Sequence, residues 1–192
     1  MQEYLLNIDT ALLTRRTVVR RFRENEGDEL YRLVQENTSH IMDHFPLTLQ
    51  EIKGPVEAEM YIRKKLSEWL LQKEYVFGIW DNDTAKLIGF IRIFCIDWHI
   101  PKGEIGFFID HKHTQRGLMT EGMVALLNFV FEQLKFEKLI LRTATDNYPT
   151  QRLARKVGFR REGDLRADFK RPAGELIDVM YFGLTHFEYE KV

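Results

Sequence analysis

Residues Glu104 to Glu121 read EIGFFIDHKHTQRGLMTE. The first six, Glu104–Ile109, are dominated by Ile and Phe and predict a β-strand. A polar loop follows, and beyond Gly117 a helix is predicted over Met119–Leu134, with Met123, Leu127, Val130 and Leu134 on one stripe. A strand that enters a helix through Arg116-Gly117 exposes unpaired backbone N–H groups at the helix N-terminus. Those groups and the helix dipole favour an anion such as a pyrophosphate. Gly117 lets a ligand approach the backbone closely, and Arg116 adds a positive charge. The spacing is neither GxxxxGK[ST] nor GxGxxG. Taken alone, it reads as a plain strand-to-helix loop.

Working upstream, Tyr75–Trp80 and Leu87–Asp97 are apolar runs flanking Asp81-Asn82-Asp83-Thr84, the pattern of a hairpin. A loop at His99–Gly103 joins the second run to Glu104–Ile109, which predicts a meander of three antiparallel strands. Earlier still, a strand over Arg16–Phe22 follows Leu12-Leu13. A polar turn, Arg23–Gly27, leads to a helix near Asp28–Gln35 with Leu30, Leu33 and Val34 on one face. Pro46 breaks a short apolar stretch, and a longer helix runs from about Pro55 to Lys73, carrying Ile62, Leu66, Trp69 and Leu70 at helical spacing. Downstream come a strand at Lys138–Thr145, a helix at Pro149–Lys156 closed by Gly158, and a strand from Phe159. A turn at Pro172-Ala173-Gly174 precedes the last strand, Leu176–Leu184. The order βαα-βββ-αβ-αββ describes one α/β domain over 1–192, with a mixed, mostly antiparallel central sheet flanked by helices.

Composition bounds the function. The chain has 192 residues, of which 44% are hydrophobic and 30% charged, enough for a single core and too apolar for disorder. Lys and Arg total 28 against 29 Asp and Glu, so the basic excess expected of a protein that coats nucleic acid or a membrane surface is missing. No apolar run approaches the ~20 residues of a spanning helix, and Met1-Gln2-Glu3-Tyr4 lacks a signal-peptide pattern. The expectation is a soluble cytoplasmic protein. Cys95, the single cysteine, has no internal disulfide partner and reads as a packed thiol in an apolar strand. His40 and His44 share i, i+4 spacing, and His111 and His113 flank Lys112. Without a Cys or carboxylate set beside them, no metal site is expected. The Arg152–Arg171 segment, with its basic excess, reads as a solvated face.

Farther along stand Asn147-Tyr148-Pro149-Thr150, Arg155-Lys156-Val157-Gly158-Phe159 and Glu162-Gly163. Together with Glu104-Ile105-Gly106-Phe107, Gly117 and Thr120-Glu121, these resemble the GNAT N-acetyltransferases, specifically the Rim-type ribosomal-protein N-terminal acetyltransferases. The late Asp178 also fits. Two positions depart from the pattern: Thr114 stands where Arg or Gln is usual, and Met119 where Gly or Ala is usual. Met119 could crowd a diphosphate or point into the core.

The resemblance implies acetyl-CoA as cosubstrate, no metal, and direct acetyl transfer to a primary amine without a covalent enzyme intermediate. It implies that the strand ending at Phe107, Phe108 and Ile109 splays from the strand near Lys138–Thr145, so that its open backbone pairs with the pantetheine arm. Phosphates would fall on Gln115, Arg116, Gly117, Leu118, Met119 and Thr120, with Asn147 reaching the arm. Many members carry a Tyr acid where this chain has Ala154. The Rim-type branch instead pairs a hydroxyl, here Thr150, with a later carboxylate, here Asp168, while Glu104 is a third candidate beside the acceptor. For Thr150 the competing role is a helix cap, a role Asn147 could also fill. The acceptor implied is the α-amine of a protein, perhaps ribosomal, with a homodimer compatible with the family. A small-molecule amine acceptor and a catalytically weak acyl-CoA-binding domain stay open as alternatives.

Overall fold

The computed structural model describes residues 11–190; the Met1–Tyr4 start lies outside them. Eight strands form one sheet: β1 (Ala11–Leu13), β2 (Thr17–Arg21), β3 (Tyr75–Asp81), β4 (Leu87–Asp97), β5 (Lys102–Ile109), β6 (Lys138–Ala144), β7 (Arg160–Lys170) and β8 (Leu176–Thr185). The helices are α1 (Gly27–Glu36), α2 (Thr38–Ile41), α3 (Pro46–Glu51), α4 (Pro55–Leu70), α5 (Leu118–Asn128), α6 (Tyr148–Lys156) and α7 (His186–Tyr189). The spatial strand order is β1-β2-β3-β4-β5-β6-β8-β7, and β5–β6 is a parallel pair in an otherwise antiparallel sheet.

Helices cover both faces, which is why β3 is a continuous apolar run with no polar face. Tyr75, Phe77 and Ile79 point into a core shared with Met123, Leu126 and Leu127 of α5. Val76 and Trp80 point the other way, toward Leu30 and Leu33 of α1 and Tyr61 and Ile62 of α4. Alternation along one strand thus feeds two cores.

The sheet opens between β5 and β6. They pair only at Lys102–Glu104 against Lys138–Ile140. Beyond that, β5 stays bonded to β4 as far as Ile109, and β6 to β8 as far as Ala144. From Ile105 and Leu141 onward, the facing edges of two interior strands therefore carry backbone donors and acceptors with no ladder partner.

Three details differ from the sequence expectation, and the structure resolves the choice left open at Met119. Pro46 does not break structure; it starts α3, where its missing N–H costs nothing. The segment read as one helix to Leu134 changes at Phe129–Gln133 into a π-helical turn. Met119 is buried in the α5 core at 7% exposure, so its side chain goes largely inward. Cys95 is exposed rather than packed. It has φ of +52°, where the β4–β5 register shifts between Phe94 and Asp97, and such an irregularity ends the in–out alternation that would have buried it.

Candidate active site

The opening leads into a cleft of about 940 Å³. Its walls are the open edges of β5 and β6, the loop into α5, the start of α6 and the segment from His40 to Thr48.

One end is built from backbone. Asp110 closes β5; only 3% exposed, it accepts from the Lys112 N–H at 3.2 Å and sits 2.9 Å from His113 Nδ1. Burial opposes its charge, but the bonds from Lys112, His113 and Asn37 prevail and hold its carboxyl below the usual range. The loop then passes through two left-handed residues, Gln115 at φ +60° and Gly117 at φ +77°, the second being the N-cap of α5. A Cβ added at Gly117 would find no atom closer than Arg16 Nη2 at 3.6 Å, so the space over this helix end is open. Arg16 also donates to the Arg116 carbonyl at 3.0 Å, while Glu121 accepts from the Arg16 backbone N–H at 2.7 Å and from its Nε at 2.8 Å. The Thr-Glu of the sequence pattern therefore includes an anchor for the loop. Glu121 is kept below the usual carboxylate range: burial pushes it up, and Thr14 and Arg16 more than offset that.

Gln115, Gly117, Leu118, Met119 and Thr120 line the cleft, as do Phe107, Phe108 and Ile109. Arg116 does not; its side chain is exposed outside the lining. Phe108 contributes backbone, since its ring is stacked on Phe90 at 5.4 Å in the α1–α4 core. These residues could hold a chain of amides along β5 and a phosphate at α5.

The other end is built from side chains. Arg142 on β6 joins two carboxylates: its Nε donates to Glu104 Oε2 at 2.9 Å and its Nη1 to Asp168 Oδ2 at 3.3 Å. Burial disfavours the guanidinium charge, but Glu104 and Asp168 overcome this and raise its pKa. Phe45, Phe94 and Phe169 add apolar wall to the cleft.

Between the ends lies the start of α6. Asn147 is its N-cap, accepting from the Thr150 N–H at 3.2 Å. With the cap supplied by Asn147, the Thr150 hydroxyl is left without a hydrogen-bond partner among the described residues, on the cleft wall. His44, from the turn between α2 and α3, also lines the cleft, with Nε2 3.4 Å from Asn147 Nδ2. His44 is exposed at the cleft rim; partial desolvation lowers its pKa, against the raising effect of Asp43 and Asp146.

Glu104, Asp168, Asn147 and Thr150 are thus brought to one cleft. Sequence reasoning missed Arg142, which stood unremarked in a strand, and His44, whose spacing from His40 suggested only a metal pair. No group of three or more metal-binding side chains exists among the described residues, and none of their helices is long and apolar enough to cross a membrane.

The family model described as an acetyltransferase (GNAT) domain matches residues 16–160. A Bacillus subtilis protein named "Probable N-acetyltransferase YjcK" is 29% identical over 79% of this chain and 84% of its own length. The ribosomal-protein-serine acetyltransferase of Escherichia coli is 27% identical over 81% and 86% respectively. Among solved structures, the ribosomal L7/L12 α-N-protein acetyltransferase RimL in complex with coenzyme A superposes with a TM-score of 0.83 at 16% identity, covering 91% of this chain and 97% of that one.

Proposed function

The chain belongs to the GNAT acetyltransferase family and is an acetyl-CoA-dependent N-acetyltransferase; from that premise we propose that its acceptor is the α-amino group of a protein N-terminus, ribosomal proteins being the first class to try. The observation that carries the acceptor reading is the Glu104–Arg142–Asp168 cluster. Two carboxylates and one guanidinium leave a single negative charge, which suits one ammonium. Arg142 has further N–H donors for a carbonyl oxygen, the group that lies next to every N-terminal amine. A polyamine brings a second cation that Arg142 repels. The ribosomal-protein acetyltransferases among the relatives support the same class.

In this reading the pantetheine arm of acetyl-CoA pairs with the open edge of β5, and its diphosphate meets the backbone N–H groups from Gln115 to Thr120. Asn147 lies beside the arm. The Thr150 hydroxyl donates to the departing thiolate, while Glu104 and Asp168 hold the incoming ammonium. Orientation supplies much of the rate, because amine and thioester are bound in line.

Release of CoA thiol with a panel of amines tests this. Unblocked N-terminal peptides of ribosomal proteins are expected to outpace polyamines, aminoglycosides and the same peptides N-acetylated. A small-molecule amine that proves faster would replace the acceptor, and CoA binding without turnover on any amine would leave an acyl-CoA-binding domain.

A further inference from the structure

We propose that His44 is the general base of this cleft, taking the proton from the acceptor ammonium through Nε2. The inference rests on the acetyl-transfer reading above and adds a residue to it.

The two carboxylates at the acceptor end each give one oxygen to Arg142, and in the reading above what remains of their charge holds the ammonium. His44 instead offers a lone pair whose one contact, from the Asn147 side chain, is long. Its direction follows from the neighbouring amide. Asn147 uses Oδ1 as the cap of α6, accepting the Thr150 N–H, so the group it turns toward His44 is its NH₂. An NH₂ group only donates, which makes Nε2 the acceptor and leaves the imidazole proton on Nδ1. At 3.4 Å this contact is long, and an ammonium N–H would readily displace it. The same arrangement sets His44 one side chain away from Thr150, joining the site for proton removal to the site for thiolate protonation.

The charges around the ring are mixed: Asp43 and Asp146 favour the imidazolium, and Arg171 and His40 oppose it. Asp43 and His40 lie on its own segment, Asp146 precedes α6 and Arg171 follows β7; Arg152 and Lys156 of α6 line the same cleft. Asp146 is held by Arg171, and no ion pair to His44 exists among the described residues. Loss of water lowers the imidazole pKa beneath its ordinary value. A bound acceptor would dry the ring further. At neutral pH the ring is therefore in its proton-accepting form.

The step balances without an added reagent. His44 Nε2 takes one proton from the ammonium, and the freed nitrogen pair forms the C–N bond at the acetyl carbon. The C–S bond breaks with its electron pair on sulfur. The second proton lost by nitrogen passes to sulfur, with the Thr150 hydroxyl as donor and acceptor in the relay, and His44 returns its proton to solvent.

Two measurements decide it. Nitrogen NMR of the imidazole in the unliganded protein needs no acceptor. It is expected to find the Nδ1–H tautomer, protonating below the ordinary histidine range; an Nε2–H tautomer, or protonation at or above that range, overturns the proposal. In His44→Gln, kcat/KM for an N-terminal peptide should fall ~10²-fold near neutral pH, with acetyl-CoA affinity within about twofold of the parent. The acid limb of its pH profile should move up toward the α-amine's own pKa of about 8. Imidazole should restore part of the rate to His44→Ala. An unmoved limb in His44→Gln overturns the role of His44 while leaving acetyl transfer intact. Failure of the unaltered protein to bind CoA in calorimetry would instead strike the cofactor reading on which this one rests.

Discussion

The two ends of the cleft are made by different means. At the α5 end the groups proposed to meet the cofactor are main-chain N–H and C=O groups, left unpaired because a strand pair opens and a helix begins. At the α6–β7 end they are side chains, brought together from positions as distant as His44 and Asn147, or Glu104 and Asp168. Backbone donors persist whatever residue carries them, provided the fold holds. Side-chain donors and bases vanish with one substitution. The first end should therefore tolerate residue changes that spare its dihedral angles, and the second should not.

The largest effect is expected where the proposed chemistry hangs on one hydroxyl. Thr150→Val keeps the shape of the side chain and should lower turnover ~10²-fold, leaving acetyl-CoA affinity within a few fold; Thr150→Ser should retain most activity. Steady-state rates beside calorimetric CoA affinity make the check. Equal loss of rate and affinity would mean that Thr150 belongs with the binding surface.

A smaller effect is expected at the backbone end, and only where the backbone itself is disturbed. Gly117→Val places a branched residue at φ +77°, which costs roughly 1–2 kcal/mol of stability. By turning phosphate-facing N–H groups away it should also weaken CoA roughly tenfold or more. Thr120→Ala, which leaves the dihedral angles alone, should bind CoA nearly as the parent does. The comparison breaks if the two variants lose affinity equally.

The smallest effect concerns the anchor of that loop. Glu121→Gln removes a partly exposed pair with Arg16 and should cost about 1 kcal/mol in denaturant unfolding at neutral pH. Because the folded-state pKa of Glu121 is depressed, its contribution is present above the ordinary carboxylate range and is lost as pH falls through the folded value. Parent and variant should converge in acid. A gap that persisted there would assign the loss to packing.

The same division explains what could be read in the sequence. Strand β5, the loop and α5 are contiguous, so Glu104–Glu121 carried the fold and the open helix end proposed for the phosphates in one stretch. The break in the β5–β6 ladder was expected only through family resemblance, because no local pattern in Lys138–Thr145 encodes which of its edges stays unpaired. The start of α6 was legible up to a choice between Asn147 and Thr150 as cap, which the Asn147–Thr150 bond resolves. Arg142 and His44 were not legible as site residues. Each belongs to an element whose local pattern is ordinary, and each acquires its meaning from partners 26 to 103 positions away. Cys95 went wrong because strand alternation predicts a side chain's face only while the register holds, and it fails at the Phe94/Asp97 shift.

Acetyl-CoA is proposed to lie along the open edge of β5 with its phosphates on the N-terminus of α5. Amide hydrogen exchange on the intact chain, with and without CoA, tests it most directly. Exchange should slow at amides within Ile105–Ile109 and Gln115–Thr120, with β1 to β3 unchanged. Slowed exchange confined to another face of the sheet, or none at saturating CoA, would contradict it.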